Sequence, residues 1–203
     1  MIADLLYQFK HLDQLVVSAG YAGLFVIVFS ETGLLAGFFL PGDSLLVTAG
    51  LLASQGVLDI VILNALLVLA AILGDSTGYL IGHAAGPRLF KKEDSFFFKK
   101  EYLDRTHRFF EKHGGKTIIL ARFVPIVRTF APTVAGVGRM SYRQFLSFNV
   151  VGGFLWVTGM TLTGYFLGRL VPDIEKHIHW VIMVVIVLSF YPILHETLRS
   201  RKR

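Results

Sequence analysis

The chain has 203 residues, 54% of them hydrophobic and 17% charged, with 18 Phe and a mean hydropathy of +0.61. A soluble globule carries about 25% charged residues, so this composition reads as an integral membrane protein, and so apolar a chain cannot be disordered. The absence of Cys excludes a disulfide scaffold, a thiol nucleophile and Cys-ligated metal, and the +6 net charge fits membrane orientation better than nucleic-acid binding.

From the N-terminus, Leu5, Leu6, Phe9, Leu12 and residues 15–17 suit an amphipathic segment. No cleavable signal peptide is expected, because a basic leader is missing and the apolar run contains Glu31. Residues 20–56 are too long for one crossing and short for two with a loop. Gly33, Gly37, Pro41, Gly42 and Gly50 punctuate them, which predicts a re-entrant helical hairpin, with a kinked helix pair as the alternative. Residues 57–81 form the first predicted span; Asp59, Asn64 and Asp75 within it argue against lipid on all sides.

A linker over 87–114 follows. Tyr102, Leu103, Phe109 and Phe110, with Arg105, Arg108, Glu111 and Lys112, give it an amphipathic face. Phe96–Phe98 among Lys91, Lys92, Lys99 and Lys100 suits an anionic leaflet or a solvated connector. Residues 115–138, broken by Pro125 and Pro132 and carrying Arg122 and Arg128, are the second predicted hairpin. Residues 145–170 and 177–194 are the remaining predicted spans. Trp156, Trp180 and Tyr191 near their ends suit interface anchors or packing.

The halves repeat. Ala49-Gly50 returns as Ala135-Gly136 and Gly78-Tyr79-x-x-Gly82 as Gly164-Tyr165-x-x-Gly168, both displaced by 86 residues. Earlier the displacement is 91, setting Glu31 on Arg122 and Pro41 on Pro132. The expected fold is therefore an all-α integral membrane domain, an inverted repeat of hairpin plus span. Repeat 1 covers about 20–86, repeat 2 about 115–172, and a final transmembrane helix 177–195. With one crossing per repeat, 15 of the 20 Lys and Arg fall on one side and three on the other. That side is then the cytoplasm and holds the C-terminus. The repeated Gly-Tyr-x-x-Gly is expected where helices cross closely.

Glu31, Asp43, Arg122 and Arg128 fall within the predicted membrane-embedded hairpins. Each charge costs about 2.5–3.5 kcal/mol at a helix centre, so four unpaired would cost on the order of 10–14 kcal/mol. Pairing between the hairpins offsets this, either as a purely structural clamp or as an anion site. Arginine's planar fork matches phosphate oxygens, and broken helix ends add N–H donors. A carboxylate that competes for the arginine and is removed by protonation would couple anion movement to protons. Asp75 and Asn149 are candidates to hydrogen-bond the hairpins or cap their helices, and Pro41, Gly42, Pro125 and Pro132 mark the breaks.

Glu31, the run Phe39-Leu40-Pro41-Gly42-Asp43, Gly74-Asp75-x-x-Gly78-Tyr79-x-x-Gly82, Arg122-Phe123-x-Pro125-x-x-Arg128 and Asn149-x-x-Gly152-x-x-x-Trp156 resemble the DedA family, which shares the SNARE-associated Golgi (VTT) domain. The resemblance covers about residues 20–172. It implies two oppositely oriented re-entrant hairpins in a bacterial inner membrane protein that moves lipids, either undecaprenyl phosphate for recycling or phospholipids such as phosphatidylethanolamine. It also places the acidic pair at Glu31 and Asp43 and the arginines at Arg122 and Arg128. A membrane assembly factor with structural ion pairs is the rival reading, and self-association into a homo-oligomer is compatible with either.

An enzyme is not expected. The Lys-x₆-Arg-Pro, Ser-Gly-His and Ser-Arg-x₅-His runs of phosphatidic-acid-type phosphatases are missing, and Asp75-Ser76 lies two helical turns from His83. His177 and His179 would point to different sides of a helix, and His177 and His195 bracket opposite ends of the last span, so neither a metal nor a cofactor is expected.

Overall fold

The computed structural model describes residues 12–34, 42–89 and 115–170. The amphipathic linker beyond residue 89, the break around Pro41 and the final helix 177–195 lie outside them. Every element among the described residues is helical. We number them α1 (Leu12–Gly33), α2 (Gly42–Ser54), α3 (Ile60–Leu89), α4 (Lys116–Ala121), α5 (Pro125–Val137) and α6 (Tyr142–Leu170).

Among the described residues, two helices are long and apolar enough to cross a bilayer, Ile60–Gly86 and Tyr142–Leu170. At 1.5 Å per residue each reaches about 40 Å, more than the roughly 30 Å hydrocarbon core. α2 and α5, with 13 residues each, reach only about 20 Å. Helix starts follow local chemistry. The Asp59 carboxylate accepts from the Val61 and Ile62 N–H groups at 2.8 and 2.9 Å, so an acid expected inside the span instead caps α3. Gly20, at φ 57, kinks α1 where the sequence places the start of the first hairpin.

The chain divides into two compact units. The first contains residues 12–27, 42–68 and 156–170. Its centre is α2, buried at every position from Gly42 to Ala53. An apolar helix enclosed on all sides has no lipid or water face, and its neighbours supply its packing. A Cβ at Gly50 would land on the Thr161 carbonyl, and one at Gly164 on the Val47 carbonyl, so α2 and α6 meet backbone to backbone. Polar side chains in this unit satisfy one another. Asn64 Nδ2 donates to Thr161 Oγ1 at 2.7 Å, and Thr158 Oγ1 donates to Asn64 Oδ1 at 3.0 Å. Such cross-helix bonds contribute about 0.6–2 kcal/mol each in a membrane.

The second unit contains residues 28–34, 69–89 and 115–155. α4 and α5 form a helix–break–helix, with Val124 extended at φ −116, ψ 106 and Pro125 opening α5. Proline suits the first turn because its missing N–H would be unsatisfied there anyway. Pro132 lies inside α5, where the ladder loses its bond to the Arg128 carbonyl. α5 packs on α3: a Cβ at Gly136 would strike the Tyr79 carbonyl, and one at Gly82 the Thr133 carbonyl. Gly50 and Gly136, and Val47 and Thr133, are related by the 86-residue displacement, and Gly164 and Gly82 by that displacement to within one turn. Each short helix therefore packs on the long helix from the other half of the sequence. At one end of this unit, Tyr79, Ile118, Ala135, Met140 and Phe145 form a buried cluster with Phe148 against it.

Large apolar side chains remain exposed along the long helices, among them Val61, Ile62, Leu69, Leu80, Val151, Phe154 and Phe166. Side chains of this kind are costly to expose to water, whereas in a bilayer they meet lipid.

Candidate functional site

The second unit holds two buried charge centres. In the first, Arg128 Nη2 donates to Glu31 Oε1 at 2.6 Å, with the side chains 10% and 2% exposed. Glu31 sits in the last turn of α1, where the helix dipole is negative; Arg128 sits in the first turn of α5, where it is positive. Each charge alone stands at the wrong end of its own helix. Paired, each is compensated by the other.

In the second centre, Arg122 Nη2 donates to Asp75 Oδ2 and to Asn149 Oδ1. Asn149 Nδ2 is itself anchored on the Ile72 carbonyl at 3.1 Å. The arginine stem lies in a slot made by glycines. A Cβ at Gly152 would stand 3.1 Å from Arg122 Cδ, and one at Gly153 would stand 3.6 Å from Cζ. Three elements, α3, α6 and the end of α4, thus close around one guanidinium on a residue that is 4% exposed. Sequence reasoning misses this slot. Its only signal there is the glycine doublet Gly152-Gly153, three residues after Asn149.

Asp43 lies in the other unit, in the first turn of α2, and accepts from Trp156 Nε1 at 2.9 Å. Trp156 is 1% exposed. Of its two expected roles, interface anchor or packing, it takes the second and adds a hydrogen bond. Among the breaks, Gly42 starts α2, Pro125 starts α5 and Pro132 interrupts it, while Pro41 is outside the described residues. The structure therefore brings Glu31 to Arg128 and brings Arg122 to Asp75 and Asn149. Of the acids of the first predicted hairpin, Glu31 pairs with Arg128, and Arg122 binds Asp75, a residue of the long helix α3. Among the described residues no group of three or more metal-ligating side chains occurs.

The VTT domain family matches residues 40–166, from just before α2 into the last turns of α6. This chain belongs to the DedA (VTT-domain) family. Protein DedA of Escherichia coli is 50% identical over 197 residues, covering 95% of this chain and 90% of DedA. Inner membrane protein YghB of E. coli is 37% identical over 176 residues, with 87% and 80% covered. Inner membrane protein YqjA of the same organism is 40% identical over 149 residues, with 73% and 68% covered. No solved structure matches the chain. The family is one of bacterial membrane proteins, and the exposed apolar faces of α3 and α6 accord with that setting.

Proposed function

We propose that this chain is a lipid translocase of the bacterial inner membrane, and that it moves undecaprenyl phosphate across the bilayer in a proton-coupled exchange. The observation that carries the reading is the seat of Glu31. Its carboxylate pairs with Arg128, an arginine of the first turn of a 13-residue helix, and a guanidinium fork is the partner that a phosphate oxygen would choose. Glu31 stands in for the substrate's anion. Protonation of Glu31 releases Arg128 to the phosphate, and loss of the proton restores the ion pair and expels it. Arg122 adds positive charge from within its slot, and Asp75 and Asn149 hold it in place.

Arms too short to cross the bilayer support re-entrant hairpins in an inverted repeat. The topology we propose is multi-pass, with a cytoplasmic C-terminus and no enzymatic chemistry. The test is reconstitution. Purified protein in proteoliposomes receives labelled undecaprenyl phosphate or, separately, labelled phosphatidylethanolamine, with and without an imposed pH gradient. Faster movement of undecaprenyl phosphate is expected, with gradient dependence abolished in Glu31→Gln. An Arg128→Lys variant should fold but lose most of the transport, because a point charge cannot grip phosphate in two places. Transport of phosphatidylethanolamine alone would replace the substrate, and normal flux in Arg128→Lys would overturn the site.

A further inference from the structure

The corner between α5 and α6 is strained. α5 ends in a cap in which Gly138 N–H reaches the Val134 carbonyl at 2.8 Å and Met140 N–H reaches the Ala135 carbonyl at 3.1 Å. Such caps need one left-handed residue, usually glycine. Here it is Arg139, at φ 55, the one non-glycine residue with positive φ among those described. A side chain in that conformation is unfavourable, and strain retained at an exposed position points to a use for the side chain.

Its neighbours indicate the use. Lys116, Arg139 and Arg143 are all exposed. Ile118, Met140 and Phe145, each within two residues of one of them, share one buried cluster, which draws the three backbone segments together. Among the described residues no carboxylate pairs with any of the three. The floor is aromatic and fixed. Tyr79 stacks on Phe145 at 4.6 Å and donates to the Met140 carbonyl, and half-exposed Tyr142 donates to Ser76 Oγ at 3.3 Å. Phe130 and Val134 of α5 and Val150 and Val151 of α6, on the two helices that meet at this corner, are also exposed. Three cations on helices that carry exposed apolar side chains match the boundary between headgroups and acyl chains.

We propose that this corner docks the headgroup of an anionic phospholipid, with Arg139 and Arg143 on the phosphate and Lys116 adding a third charge. A zwitterionic headgroup carries its own ammonium, which these cations repel, so the site selects net negative lipid. Arg128 lies about 16 Å away along α5, about half the hydrocarbon thickness, so this surface is separate from the Glu31–Arg128 pair. Docking requires no transport and stands or falls independently of the proposed function.

The full chain in mild detergent is titrated with phosphatidylglycerol, phosphatidylcholine or inorganic phosphate while thermal unfolding is followed. Phosphatidylglycerol should raise Tm at the lowest concentration, and inorganic phosphate should leave it unchanged. Arg139→Gly without lipid should melt about 2–4 °C higher than the wild type, yet need about fivefold more phosphatidylglycerol for the same shift. Arg143→Gln, which leaves the cap intact, should also need about fivefold more. The proposal fails if both corner variants titrate like the wild type, if phosphatidylcholine is equally effective, or if inorganic phosphate reproduces the shift.

Discussion

Asp75→Asn tests whether the enclosed arginine is held by charge. The Asp75 and Arg122 side chains are each 4% exposed, so solvent cannot take over from a lost partner. Removing one member of a buried pair costs about 3–5 kcal/mol, because the other charge is left uncompensated. Asn149 still offers its carbonyl oxygen and the introduced amide offers another, which places the expected loss near the lower end, about 3 kcal/mol. In a chain of this size that corresponds to a Tm lower by about 6–12 °C. Replacing both residues by apolar ones of similar volume, Asp75→Leu with Arg122→Met, removes the desolvation penalty together with the attraction. The double variant should recover to within about 1 kcal/mol of the wild type. Thermal unfolding in detergent measures the wild type, the two single variants Asp75→Leu and Arg122→Met, and the double; translocation in proteoliposomes follows on the double variant. A double variant as unstable as the sum of its singles would refute the electrostatic account and leave Arg122 as a packing residue. A stable double variant that still translocates would show that the arginine's charge serves assembly alone.

The remaining predictions concern packing and caps. Gly136→Ala drives a methyl into the Tyr79 carbonyl, with His83 N only 2.7 Å away, and should destabilise by about 1–3 kcal/mol in the same unfolding assay. Gly159→Ala, on α6 with nothing within 4 Å of its Cβ, should instead stabilise by about 0.5–1 kcal/mol. Asp59→Ala removes the carboxylate that caps α3 and should lower stability by about 1 kcal/mol, with Asp59→Asn retaining most of it. Trp156→Phe keeps an aromatic ring but deletes the N–H that Asp43 accepts; a loss of about 1–3 kcal/mol is expected in the same unfolding assay.

The long helices and the proline breaks are legible in the sequence because each has a local cause: an apolar run, or a missing N–H. The four charges Glu31, Asp43, Arg122 and Arg128 are legible for a related reason, since so apolar a chain gives each one a large cost unless it is partnered. Which charge meets which is not legible. Glu31 and Asp43 stand twelve residues apart, and nothing local says which of them faces Arg122 or Arg128; the choice depends on how distant helices pack. The pattern suggests that Asp75 and Asn149 hydrogen-bond the hairpins, and both accept from Arg122; what it leaves out is the Gly152-Gly153 slot that brings α6 against the arginine stem. Asp59 shows the opposite error. Hydropathy counts it with the span, but the helix begins one residue later and uses it as a cap. The positive φ at Arg139 leaves no sequence trace, because nothing in Arg-Met-Ser announces a left-handed residue.

The two arginines differ in what could displace their partners. Arg122 is bound by an acid and an amide on two different helices, with glycine backbone against its stem, so an incoming phosphate would have to open three elements at once. Arg128 pairs with the Glu31 carboxylate at the end of α1. Swapping that carboxylate for a phosphate keeps the sign and position of the charge beside the guanidinium. Neutralising Glu31 is therefore the smaller perturbation. It leaves Arg128 near the negative end of α1 while opening its fork, whereas reversing Arg128 would set two acids together at the end of α1. The exchange is thus expected to run through Arg128, with Arg122 fixed throughout, and an anion bound to Glu31→Gln should be lost on Arg128→Lys but retained in a stable Asp75→Leu/Arg122→Met protein.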